Sequence, residues 1–228
     1  MELCCVVLDI GGVLEMTPAT GWEGAWERRL GLPPGAVHER LGDVWEAGSV
    51  GTVGESGVRA RVAADLGLDP VQTEAFMADL WDEYLGSPNE ELIDYVRTLA
   101  SRCRLGILSN SFVGAREREE KRYGFGALVH DIVYSHEIGI LKPAAGAFEL
   151  TCARLGVRLA DCLFIDDVVV NVTAARAVGI RGLLFESNAE TIGAVERHLT
   201  PARGGPGRGD RSEPGADRTG RDLAQPGG

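Results

Sequence analysis

Four short runs of almost unbroken apolar residues constrain this chain more than any other feature: LCCVVL (3–8), RLGILS (104–109), CLFI (162–165) and RGLLFE (181–186), with DIVYS (131–135) as a fifth candidate. A strand with one wet face alternates apolar and polar side chains, whereas a strand covered on both faces reads as a continuous apolar run. Helical patterns lie between the runs. SPNEELIDYVRTLA opens with the spacing of a capping box, Ser87 to Glu90, has Pro88 at the first helical position, and sets Leu92, Val96 and Leu99 on one face. AAGAFELTCARLG and NVTAARAVG each stop at a glycine, Gly156 and Gly179, where a helix C-terminus favours one. Strands alternating with helices predict an α/β fold with a parallel sheet layered between helices.

Roughly 95 residues separate the first run from the second, although a strand, crossover helix and parallel strand need only about 30. The surplus predicts a small helical domain inserted at residues 15–86, with the core in 1–14 and 87–200. Within the insert, Trp22, Ala25, Trp26 and Leu30 share a helical face. Pro33-Pro34 start a second helix carrying Val37, Leu41 and Trp45, and Asp69-Pro70 cap a third carrying Phe76, Leu80 and Trp81. All four tryptophans fall here, and most are expected in the aromatic core of the bundle rather than in a pocket. From Pro201 to Gly228 the chain is Gly, Pro, Arg and Asp with few apolar residues, the composition of a disordered tail.

The formal net charge of −11 argues against nucleic acid and anionic membrane surfaces as partners, because both call for a basic face. An anionic ligand would need a local cation. No window approaches the roughly 18 apolar residues of a membrane span, and MELCCVVLDI carries no positive leader with a small-residue cleavage site, so the expected compartment is cytoplasmic. The five cysteines lack C-x-x-C spacing and are expected as reduced, buried thiols. Lys occurs only at positions 121 and 142 in a chain that otherwise writes Arg, and Lys142 sits in the turn GILKPAAGAF. A compact ammonium and a planar guanidinium are not interchangeable, which draws attention to Lys142.

In parallel α/β sheets ligands bind at the carboxyl ends of the strands. Asp9 ends the first run, Ser109 and Asn110 end the second, and Asp166-Asp167 follow CLFI; Lys142 can reach the same rim from its turn. A nucleophilic carboxylate, a hydroxyl beside backbone amides, an ammonium and a carboxyl pair are the parts needed to move a phosphoryl group through an aspartyl-phosphate. Taken singly, each has an ordinary structural reading as an N-cap or a turn. Jointly those readings leave the shared rim unexplained. His136 is expected as a loop or surface histidine, and Glu137 as a residue that positions the Lys142 loop.

LDIGGVL, LSNS, GILKP and FIDDVVVN, in this order and across residues 3–199, resemble the four motifs of the haloacid dehalogenase-like hydrolase superfamily, in its subgroup with a helical cap inserted after the first strand. The resemblance implies a Rossmann-like three-layer core with a small α-helical cap, and Mg²⁺-dependent hydrolysis of small phosphorylated metabolites. Asp9 would be the nucleophile. Asp9, the carbonyl of Gly11, Asp166 and Asp167 would hold Mg²⁺, with Asp167 acting directly or through water. Ser109, Asn110 and Lys142 would bind the phosphate, and Asn171 would help orient the lysine.

One departure matters. Phosphatases of this superfamily usually place a second Asp, the general acid and base, where this chain has Gly11, a function worth about 10²- to 10⁴-fold in rate. The two glycines are expected to turn the backbone so that a carbonyl faces the ion. Capped sugar-phosphate phosphatases resemble this arrangement, and Glu15 is a conceivable stand-in, although a solvated or cap-facing glutamate is the plainer reading. Two alternatives stand beside phosphatase activity: a 2-haloacid dehalogenase, which needs neither the second Asp nor a metal, and an inert binding module that kept the fold. Asp166-Asp167 favours phosphate chemistry over the dehalogenase reading, since dehalogenases lack that acidic pair.

Overall fold

The computed structural model describes residues 4–200, so the tail expected at 201–228 lies outside the described residues. In chain order the strands are β1 (Cys5–Leu8), β2 (Glu15–Met16), β3 (Ser87–Pro88), β4 (Arg104–Ser109), β5 (Asp131–Tyr134), β6 (Cys162–Asp166) and β7 (Arg181–Leu184). The helices are α1 (Trp22–Leu30), α2 (Ala36–Ser49), α3 (Glu55–Leu66), α4 (Pro70–Leu85), α5 (Glu90–Arg97), α6 (Ala115–Tyr123), α7 (Ser135–Ile138), α8 (Ala145–Leu155), α9 (Val169–Ala177) and α10 (Asn188–Leu199).

All five apolar runs enter one parallel sheet of order β5-β4-β1-β6-β7. The reason for their unbroken apolar character is visible residue by residue. Val6 and Leu8 of β1, with Leu163 and Ile165 of β6, face a core that holds Leu92, Ile93 and Val96 of α5. Their neighbours Cys5, Val7, Cys162 and Phe164 face a second core with Phe148, Cys152 and Leu155 of α8. Each strand therefore feeds two cores, and each fully buried Val or Leu contributes about 1.5–3 kcal/mol. α8 also lies close on β4, because a Cβ at Gly106 would meet Leu155 Cδ1 at 2.6 Å.

Between β2 and β3 four helices build a third cluster around Trp26, Leu41, Val58, Val62, Phe76 and Met77. Phe112 and Val113, from the loop after β4, belong to the same cluster and tie it to the sheet. Phe112 lies directly on the backbone of α2, where a Cβ at Gly48 would come within 2.2 Å of the ring. The Val113 N–H donates to the Gly48 carbonyl at 3.2 Å, and the Ser135 hydroxyl donates to that of Ser49 at 2.8 Å.

Two local readings of the sequence are corrected. α5 begins after Asn89, whose side chain accepts from the Leu92 N–H, and not after Ser87. Ser87 and Pro88 are instead paired antiparallel with Met16 and Glu15 at the root of the four helices. α3 was not among the expected helices. Its signal was the spacing Val58, Val62, Leu66, all buried, in a segment otherwise polar and flanked by Gly54 and Gly67.

Candidate active site

β1 is central, flanked by β4 and β6, so residues just past the ends of these three strands are neighbours. Asp9 continues β1, its N–H donating to the Ile165 carbonyl at 2.9 Å. Its Oδ1 accepts from the Ile10 N–H at 2.8 Å and lies 2.7 Å from Lys142 Nζ. Those two donors occupy Oδ1 and leave Oδ2 as the oxygen open to attack. Lys142 Nζ lies equally close, 2.7 Å, to Asp166 Oδ2. The side chains of Lys142 and Asp166 are fully buried, and Asp166 is fixed in place: Oδ1 accepts from the Val168 N–H at 2.8 Å, and Asn171 Nδ2 reaches its two oxygens at 3.1 and 3.2 Å.

The lysine reaches this position because Asn110 holds its backbone. Asn110 Oδ1 accepts from the Lys142 N–H at 2.8 Å, and Asn110 Nδ2 donates to the Lys142 carbonyl at 2.9 Å. The side chain of Asn110 is thus committed to the lysine turn rather than presented to a phosphate. Asn171 acts on Lys142 only through Asp166. Glu137 does not position the turn: it pairs with Arg116 at the surface. His136 is half-buried rather than on the surface, with Nδ1 2.6 Å from the Ser111 hydroxyl.

Asp9, Asp166 and Asp167 each offer an oxygen within 4.8 Å of the others. Burial pushes the Asp9 carboxyl up to about 7; Lys142 opposes and the charge of Asp166 adds to the rise. Asp167, exposed at the mouth, is raised by burial and then by Asp166. One ammonium among three crowded carboxylates leaves negative charge uncompensated, and an all-oxygen, acidic donor set of this kind fits Mg²⁺.

Of the two glycines, only Gly12 is required by the geometry. Its φ of +72° lies in the left-handed region, and a Cβ there would sit 2.2 Å from Asp167 Oδ2. Gly11 has room: a Cβ would find its nearest neighbours, Glu15 Oε2 and Thr17 Oγ1, at 4.0 Å. Glu15 is not solvated; its side chain turns to the root of the insert, between Thr17 and Gly86. It is 2% exposed, its Oε2 accepts from the Thr17 hydroxyl at 2.8 Å, and its Oε1 has no hydrogen-bond partner. Burial pushes its carboxyl up to about 7, against the Thr17 hydroxyl and the charge of Arg122.

Three cavities run together over this rim through shared walls at Thr17 and Asn110. One of about 440 Å³ contains Asp9, Gly11, Gly12, Asp167 and Asn171. A second of about 200 Å³ contains Gly11, Glu15, Ser109, Tyr84 and Glu119. The third, about 400 Å³, opens between the sheet and the four helices. Ser109 is buried at the end of β4, in the second cavity. Glu119 is a buried acid that sequence reasoning missed, since nothing in AREREEKRY distinguishes it from its charged neighbours. It accepts a hydrogen bond from the Tyr134 hydroxyl at 2.5 Å, and burial pushes it up to about 7.

The family model of haloacid dehalogenase-like hydrolases matches residues 5–179. A phosphatase of Mycobacterium tuberculosis is 28% identical over 222 residues, covering 88% of this chain and 95% of that protein. A HAD-like family hydrolase from Porphyromonas gingivalis superposes with a TM-score of 0.69 at 22% identity, covering 87% of this chain and 98% of the other. A HAD family enzyme of Bacteroides thetaiotaomicron, solved in complex with magnesium and inorganic phosphate, superposes with a TM-score of 0.66 at 16% identity, covering 81% and 95%. Among the described residues no helix is long and apolar enough to cross a membrane.

Proposed function

The chain belongs to the haloacid dehalogenase-like hydrolases, and on that footing we propose that it is a Mg²⁺-dependent phosphatase of small phosphate monoesters that carries the phosphoryl group transiently on Asp9. The observation that carries this reading is the convergence of Asp9, Asp166 and Asp167 around the buried Lys142. Asp9, Asp166, Asp167 and the Gly11 carbonyl would hold Mg²⁺, which supplies charge neutralisation at the phosphate. Ser109 and the Asn110 N–H would grip the phosphate, and Lys142 favours the ionised form of Asp9 and aims it. Residues 15–86 act as a cap over the rim.

Asp9 Oδ2 attacks phosphorus, the bond from phosphorus to the ester oxygen breaks, and the departing oxygen takes a proton from Glu15. Water then gives a proton to the Glu15 carboxylate and attacks phosphorus, releasing phosphate and Asp9. Glu15 suits this exchange because a carboxyl with a pKa of about 7 is divided between donor and acceptor forms at neutral pH. The M. tuberculosis relative supports phosphatase chemistry, and the carboxylate triad supports it over the metal-free dehalogenase reading. Release of phosphate from p-nitrophenyl phosphate should require Mg²⁺ and vanish in Asp9→Asn. Full activity in excess chelator, or halide release from 2-chloropropionate without metal, would defeat the proposal.

A further inference from the structure

The cavity of about 400 Å³ beside the phosphate site has an unusual lining. Four aromatic rings, Trp22, Trp45, Tyr84 and Phe112, wall it, and two carboxylates, Glu23 and Glu83, face it. No Lys, Arg or His is among the described residues that line it. The rings are held by other rings: Trp22 meets Phe76, behind the wall, edge-on at 4.9 Å, and Trp45 meets Phe112, within the wall, edge-on at 5.6 Å. Glu83 accepts from the Thr20 N–H at 2.8 Å. Glu23 has its carboxyl raised by burial, opposed by His38, with Glu27 and Glu83 adding to the rise. Lys142 is fully buried and already bridges Asp9 and Asp166. Thr17, Tyr84 and Asn110 are shared with the cavity that contains Ser109, so whatever is esterified to a phosphate held there projects toward these rings and acids.

We propose that this pocket receives the leaving group and selects one bearing an ammonium, an amino alcohol or amino sugar, while rejecting one with a second anionic group. The inference rests on the phosphatase reading for its position, and on the pocket's own residues for its chemistry. Aromatic faces attract cations and the C–H faces of sugars. Carboxylates only accept hydrogen bonds, which an ammonium or a hydroxyl supplies and a carboxylate or second phosphate does not. A second anion would meet Glu23 and Glu83 in a partly desolvated space with no cation in the lining to receive it, and like charges placed together oppose binding.

A series built on one pyranose ring separates charge from size: glucosamine 1-phosphate, glucose 1-phosphate and glucuronic acid 1-phosphate. With the full chain and Mg²⁺, kcat/KM should fall by about tenfold at each step, in that order. Glu23→Gln with Glu83→Gln should compress the span by tenfold or more. A flat or reversed order, or a span that survives the double substitution, overturns the proposal. The same three esters titrated against Asp9→Asn, read by the fluorescence of Trp22 and Trp45, give the order without turnover. Should p-nitrophenyl phosphate yield no phosphate while the binding order holds, the phosphatase reading fails and the pocket assignment stands. Turnover of p-nitrophenyl phosphate with no binding order sinks the pocket assignment alone.

Discussion

Replacing Glu15 by Gln tests how this chain manages without an acid at position 11. The substitution keeps shape, and the amide oxygen can still accept from the Thr17 hydroxyl, a 2.8 Å contact in the native protein. Glu15 Oε1 has no hydrogen-bond partner now, so an amide nitrogen in its place forfeits no existing bond. Folding stability should therefore change by about 1 kcal/mol or less. Activity should divide by leaving group. A sugar alkoxide must be protonated as it departs, so turnover of glucose 6-phosphate should fall by about 10²- to 10⁴-fold, the usual worth of a general acid. The p-nitrophenolate ion leaves without a proton, and its release in the first turnover should change by no more than about threefold. The comparison is a rapid-quench measurement of both leaving groups, joined to a pH profile in which the basic limb above pH 7, set by Glu15, is lost in the variant while the acid limb set by Asp9 stays. Adding Gly11→Asp to the Gln variant should restore part of the sugar-phosphate rate, because the space around a Cβ at position 11 is open to 4.0 Å. Equal losses for both substrates, or none for either, would refute the assignment of proton transfer to Glu15.

Lys142→Met should abolish phosphatase activity and lower stability by about 3–5 kcal/mol in urea titrations, since it strands two buried carboxylates each 2.7 Å from the lost ammonium; a loss below about 1 kcal/mol would mean the pair contributes little. Gly12→Ala should raise the Mg²⁺ concentration needed for half-maximal activity by about tenfold or more, because a methyl 2.2 Å from Asp167 Oδ2 displaces that carboxylate; an unchanged requirement would remove Asp167 from the metal site. Glu119 binds its proton with a pKa of about 7 in the folded chain and 4.5 as a free side chain, so its contribution is full below pH 4.5 and lost as pH rises through about 7. That loss amounts to at most about 3 kcal/mol of metal-free stability, and Glu119→Gln should flatten the decline seen in denaturant titrations between those pH values.

The sheet was legible because its inner strands bury both faces, and that leaves an unbroken apolar run in the sequence, as in Cys5 to Leu8. The rim was legible for a related reason: polar residues directly after such runs have nowhere to go but the carboxyl edge, as Asp9, Ser109 and Asp166 show. What escaped reading depends on contacts made far along the chain. The pairing of Ser87-Pro88 with Glu15-Met16 involves partners more than 70 residues apart, and it outweighed a sound local capping signal at Ser87. Asn110 looked like a phosphate ligand, and only the fold shows its amide spent on the backbone of Lys142. Trp22 and Trp45 carry the same amphipathic spacing as the buried Trp26 and Trp81, yet they line a cavity. Gly11 and Gly12 are adjacent in sequence, and only the second is fixed by backbone conformation and by the proximity of Asp167.

Catalysis through Asp9 passes through a phosphoryl group bound covalently to its carboxylate. Quenching the enzyme in acid during turnover with Mg²⁺, reducing with borohydride and mapping the peptides by mass spectrometry should find homoserine at position 9 in place of aspartate. Turnover that continues while position 9 is recovered only as aspartate, with homoserine elsewhere or nowhere, would contradict it.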